Sequence, residues 1–105
     1  MSFFIIIIGF NFEKMVLEIN LQKNQTVKLV LKNASREVAI LAWTEKNNLS
    51  GTLLKNIDSL LKQEKVKFTD LDRLIVESKI ENYFTTVRIA HSVANSLNFC
   101  LNNRK

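Results

Sequence analysis

Residues 49–77 read LSGTLLKNIDSLLKQEKVKFTDLDRLIVE, and the hydrophobic period changes inside them. Leu49, Leu53, Leu54, Ile57, Leu60 and Leu61 recur at helical spacing, with Lys55, Asp58, Ser59 and Lys62 on the other side. That pattern predicts a helix over residues 49–64, with Asn47, Asn48 and Ser50 as candidate N-caps. After a short polar link over 65–70, the run Leu71-Asp72-Arg73-Leu74-Ile75-Val76-Glu77 predicts a strand. A strand reached through a crossover helix lies parallel to an earlier strand, by a right-handed connection.

Working outward, three strands precede the helix. MVLEINL (15–21) is apolar except for Glu18 and Asn20. TVKLVL (26–31) alternates, with Val27, Leu29 and Leu31 on one face and Thr26, Lys28 and Val30 on the other. EVAILAWT (37–44) is the third. Asn24-Gln25 and Asn33-Ala34-Ser35 are the turns, Asn being tolerant of the left-handed conformation. Short links between successive strands make an antiparallel meander. After the fourth strand, Phe84, Val87, Ala90, Ala94, Leu97 and Leu101 step by three or four residues and predict a second helix over 82–102. The order is βββαβα, an α/β chain with a mixed sheet. No internal repeat, low-complexity segment or linker interrupts it.

Composition narrows the function classes. A 105-residue chain holds one domain with a modest core, and 47% hydrophobic with 24% charged residues is a folding composition. Zero Pro and two Gly argue against a many-stranded all-β sandwich. One Cys excludes an internal disulfide and a multi-cysteine metal cluster; one His excludes a catalytic histidine pair and an H-E-x-x-H zinc site. The net charge is +5, but the lysines are scattered and often adjoin Glu or Asp. A solvated basic surface is therefore favoured over a nucleic-acid patch, and no direct nucleic-acid binding is expected.

Phe3-Phe4-Ile5-Ile6-Ile7-Ile8 is the most apolar stretch. It is too short to span a bilayer, which takes about 20 apolar residues, and it lacks the flanks of a signal peptide. The β-branched run reads as a buried strand. Residues 1–14 are accordingly expected to be an apolar extension carrying an extra edge strand, with Met15 an alternative start to a lobe over 15–105. A cytoplasmic location is expected.

From Met15 onward the chain resembles the first lobe of the TsaB family, bacterial partners in tRNA threonylcarbamoyladenosine synthesis with an actin-like ATPase (ribonuclease H-like) fold. MVLEINLQ is similar to the family's opening strand, I-L-A-I-D-T-S. Leu53, Leu54, Ile57, Asp58, Leu60 and Leu61 match L-L-P-x-I-D-x-L-L, and Asp70, Leu71, Asp72 and Ile75 match D-L-D-x-I-x-V. Phe84, Thr85, Arg88 and Ile89 match the F-T-G-L-R-I part of the next segment. The resemblance covers about 90 residues, the first half of a typical family member, and implies a reduced single lobe. The departures are specific. The family's opening Asp falls at Asn20, its Gly-Pro-Gly at Ile80, Glu81 and Asn82, and later glycines at Thr86 and Ala90. Glycines let backbone N–H groups approach a phosphate; the β-branched Ile80 and Thr86 block such an approach. A lobe of this type normally sets a fifth strand beside the Arg73–Glu77 strand, and Phe3–Ile8 is expected to take that edge instead, or to cover the same edge of a neighbouring chain.

Other chemistry is weak. Asp70 and Asp72 form a D-x-D pair, better read as a turn cap and a solvated carboxylate than as a Mg2+ site. His91 lies mid-helix without a partner acid and reads as a structural or surface histidine. Cys100 sits near a helix C-terminus, where the dipole disfavours a thiolate. Ser50-Gly51-Thr52 is no P-loop. Arg88 pairs either across an interface or with Glu77 or Glu81. No catalytic, cofactor-binding or metal residue is assigned, and no enzyme activity is expected. The last helix carries a second apolar row, Ile89, Val93 and Cys100. The resemblance implies that the two helices meet a partner, either a TsaD-type subunit or a second copy. The residues expected in that contact are Leu53, Ile57, Leu60, Phe84, Val87, Ala90, Ala94, Leu97 and Leu101. The implied function is non-catalytic pairing in the modification pathway. The alternative is a stand-alone dimeric interaction protein without the pathway link.

Overall fold

Strand β1 (Met15–Leu21) is the axis of a four-stranded sheet, bonded antiparallel to β2 (Thr26–Asn33) and parallel to β4 (Leu71–Ser78). The computed structural model describes residues 15–34, 36–46, 48–81 and 84–103. The expected strand at Phe3–Ile8 lies outside the described residues. β3 (Arg36–Thr44) pairs antiparallel with β2, and the order across the sheet is β3-β2-β1-β4. β1 and β4 are parallel because helix α1 (Leu49–Gln63) intervenes between β3 and β4. Helix α2 (Thr85–Asn102) follows β4. This is the βββαβα mixed sheet read from the sequence.

The turns place Asn24 in the left-handed region that suits it, and three less suited residues, Gln25, Ala34 and Lys65, there as well. Asn24 (φ 64°) and Gln25 (φ 62°) form a two-residue left-handed turn, closed by Gln22 N–H donating to the Thr26 carbonyl at 2.9 Å. Such a turn matches the twist of the strands it joins. In the β2–β3 hairpin the left-handed residue is Ala34 (φ 55°), not Asn33, because β2 runs on to pair Asn33 with Arg36. α1 ends in a Schellman motif: Val66 N–H reaches the Leu61 carbonyl at 2.8 Å and Lys65 N–H the Lys62 carbonyl at 3.1 Å. The left-handed residue there is Lys65 (φ 59°), where a glycine would be at ease. In the link to β4, Asp70 caps a 3-10 turn (Phe68–Asp70) by accepting from Lys67 N–H at 3.0 Å, as its position in sequence suggests.

Both helices pack on one face of the sheet. Leu17, Ile19 and Leu21 of β1, Val27, Leu29 and Leu31 of β2, and Leu74 of β4 meet Leu53, Ile57, Leu60 and Leu61 of α1 and Val87, Ala90, Ala94 and Leu101 of α2. Each fully buried Leu or Ile contributes about 1.5–3 kcal/mol relative to exposure. The other face carries Val16, Glu18 and Asn20 of β1, Val30 and Lys32 of β2, Ile40 of β3 and Ile75 of β4. Register sets Ile40, Val30, Glu18 and Ile75 in one row across it. Val30 and Glu18 are buried in that row, while Ile40 and Val38 are exposed.

Candidate functional site

Seven of the nine residues expected in a partner contact serve this chain's own core. Leu53, Ile57, Leu60, Val87, Ala90, Ala94 and Leu101 are each at most 4% exposed, and Leu97 is half-buried against the same cluster. The physical reason is area. Two helices side by side must cover four strands, and one apolar row per helix is consumed in doing so. Phe84 alone of the nine is an exposed large side chain, at 45%. The second row on α2 is divided as well: Ile89 and Val93 lean on the core, and Cys100 is exposed. The outward apolar features of the helix pair are instead Leu54 on α1, 48% exposed, and Phe99 on α2, 69% exposed. Sequence reasoning assigned Leu54 to the buried stripe and passed over Phe99. The signal for Phe99 lay in its neighbours, since Ser92, Asn95 and Ser96 mark that side of the helix as the wet one.

A cleft of about 350 Å3 opens where the carboxyl ends of β1 and the β1–β2 turn approach the start of α2. Gln22, Asn24 and Gln25 line one side, Glu45 and Lys46 a second, and Ile80, Phe84 and Thr86 the third. Crevices at the carboxyl ends of strands are common ligand sites in α/β folds. Here the third wall is mostly apolar, with Ile80 where the family's turn has its first glycine.

Glu45, which the sequence reading did not single out, organises the β3–α1 corner. Its carboxylate accepts from Trp43 Nε1 at 2.9 Å, Asn48 N–H at 2.9 Å and Lys46 N–H at 3.1 Å. The Asn48 side chain makes no cap hydrogen bond, so Glu45 satisfies the helix start from outside. Burial raises the Glu45 pKa, but the donors from Trp43, Asn48, Lys46 and Thr52 outweigh it and hold the carboxyl below its ordinary value.

Asn20, at the position of the family's opening Asp, is engaged locally. Its Nδ2 donates to Glu18 Oε2 at 2.9 Å, and Gln22 Nε2 donates to Asn20 Oδ1 at 3.3 Å. Glu18 also meets Lys32 Nζ at 2.9 Å. Desolvation works to raise the Glu18 pKa; the Lys32 and Asn20 bonds and the Lys32 and Lys28 charges overcome it, and the net shift is downward. The same ion pair raises the pKa of Lys32. Among the described residues, no group of three His, Cys, Asp or Glu side chains could hold a metal ion. Asp72 is half-buried with the Arg73 guanidinium at 3.6 Å, rather than fully solvated as expected. His91 is a surface residue, and Arg88 is exposed and ion-paired with neither Glu77 nor Glu81. Among the described residues, no helix is long and apolar enough to cross a membrane.

No protein-family model matches the chain, and no curated protein sequence does. Solved structures match its fold. YeaZ from Pseudomonas aeruginosa superposes with a TM-score of 0.70 at 21% identity, over 85% of this chain and 40% of that one. A second crystal structure, of an uncharacterised protein with similarity to peptidase YeaZ from the same organism, gives a TM-score of 0.71 at 21% identity over the same shares. The chain thus spans about 40% of the length of these two proteins. At this identity the likeness establishes architecture alone: the mixed four-stranded sheet and its two helices share the fold of the matching part of YeaZ.

Proposed function

We propose that this chain is a non-catalytic TsaB-like protein that pairs with a TsaD-type subunit, or with itself, in tRNA threonylcarbamoyladenosine modification. The observation that carries the reading is the superposition on YeaZ, a TsaB protein, across 85% of the chain. The I-D-x-L-L, D-L-D and F-T-x-x-R-I segments, found at matching spacing in the sequence, support it. The contact would use the outer helix faces, with Leu54 and Phe99 as apolar anchors, because the inner rows are occupied by the sheet.

The test is co-purification and light scattering of the wild type, Leu54→Glu and Phe99→Glu, each alone and with a TsaD-type protein. A complex with the TsaD-type protein, weakened at least about tenfold (1.4 kcal/mol) by either variant, is the expected result. A self-association that ignores the TsaD-type protein moves the chain to the second reading, a stand-alone dimeric interaction protein. A wild type that stays monomeric and ignores the partner refutes both.

A further inference from the structure

Among the described residues β4 pairs only with β1, and its other side, from Leu74 to Ser78, is where another strand could join the sheet. Backbone direction alternates along a parallel strand. Lys79 N–H points inward to the Leu21 carbonyl at 2.8 Å. The odd-numbered residues just before it therefore face β1, and Leu74, Val76 and Ser78 face outward. At Leu74 both outward groups are occupied. Asn98 of α2 accepts from Leu74 N–H through Oδ1 at 2.8 Å and donates from Nδ2 to the Leu74 carbonyl at 2.9 Å. A side-chain amide carries the same donor–acceptor pair as a peptide group, so Asn98 stands where the backbone of a neighbouring strand would stand. Serine at 78 is also tied locally, its Oγ accepting from Ile80 N–H at 3.1 Å and donating to the Ile80 carbonyl at 3.0 Å.

We infer that Asn98 is an edge stop: by holding both backbone groups of Leu74, it keeps a second copy's β4 from adding to this one. The stretch Leu74-Ile75-Val76 of β4 is apolar and β-branched enough to pair with itself, and an edge of that kind is an association hazard. A strand laid along β4 needs successive outward positions, and Leu74 is next to Val76 in that series. With both backbone groups of Leu74 taken, an added strand cannot run an unbroken ladder through Leu74, Val76 and Ser78; the Ser78 side-chain bonds to Ile80 leave the backbone groups of Ser78 itself untouched. This inference does not depend on the proposed function.

The test uses the full chain, Asn98→Leu and Asn98→Ser, with a synthetic peptide of residues 72–78 (DRLIVES) as probe. Both variants lose the paired bonds; one keeps bulk and the other relieves crowding. The wild type is expected to ignore the peptide and to protect the Leu74 amide from hydrogen exchange. Variants with wild-type circular dichroism are expected to bind the peptide and, without it, to exchange the Leu74 amide at least about tenfold faster. Folded variants that ignore the peptide would overturn the inference, as would a wild type that binds it equally well. Loss of folding in both variants would overturn it too, because Asn98 would then be holding α2 to the sheet rather than guarding an edge.

Discussion

Replacing Ala94 by Glu separates a core role for α2 from a contact role. Ala94 is 3% exposed and belongs to the cluster that joins α2 to the sheet and α1. An introduced carboxylate there must either drag in water or take up a proton. Keeping a group of ordinary pKa near 4.3 protonated at pH 7 costs about 2.7 units, or ~3.7 kcal/mol. The four extra side-chain atoms add overpacking strain of about 1–3 kcal/mol. The sum, about 5–7 kcal/mol, equals or exceeds much of the ~5–15 kcal/mol stability of a typical domain. At about 4–8 °C per kcal/mol the melting temperature should fall by more than ~20 °C, or the chain should be unfolded at 25 °C. The effect carries its own pH signature. The buried carboxyl has a raised folded-state pKa, so the penalty is largest at neutral pH and shrinks by about 1.4 kcal/mol per unit as pH falls toward ~4.3. Thermal melts by circular dichroism at pH 5 and pH 7 read both effects. Ser92→Glu, on the exposed side of the same helix, should change stability by no more than about 0.5 kcal/mol. An Ala94→Glu variant that melts like the wild type would refute the packing of α2 described above and return Ala94 to the partner contact.

Three further outcomes follow from the same structure. Lys65→Gly should stabilise by about 0.5–1 kcal/mol in urea melts, since Lys65 sits at φ 59° in the α1 Schellman motif; a destabilised variant would show that the Lys65 side chain contributes more than its backbone strain costs. The folded-state pKa values of Glu18 and Glu45 are depressed, so their contribution is complete above the ordinary carboxylate pKa near 4.3 and is lost as pH falls through the lower folded values. Glu18→Gln should flatten that acid limb, and an unchanged limb in pH-dependent melts would refute it. ATP should bind no tighter than about 1 mM by calorimetry, because Asn20 is spent on Glu18 and Ile80 fills the turn where backbone N–H groups would meet a phosphate; micromolar binding would overturn that.

The element order was legible in the chain because each element carries its own period. The Leu53-Leu54-Ile57-Leu60-Leu61 spacing is helical wherever it stands, and TVKLVL alternates before any partner strand is known. Asn24-Gln25 likewise marks a turn by residue chemistry alone, and the crossover through α1 dictates that β4 runs parallel to β1. Periodicity identifies an apolar face without saying what covers it. That is why Val87, Ala90, Ala94 and Leu101 could be read as a partner surface, until the sheet, formed from strands distant in sequence, was seen to occupy them. Long-range satisfaction of polar groups was equally invisible. Asn98 reaches Leu74 across 24 residues, and Lys32 of β2 reaches Glu18 of β1. Glu18 is polar by composition and buried by position, because register placed it between Val30 and Ile75 with Lys32 at hand. A residue's spacing is a local property of the chain, whereas its burial and hydrogen-bond partner depend on which distant segments arrive beside it, and only the assembled fold sets that.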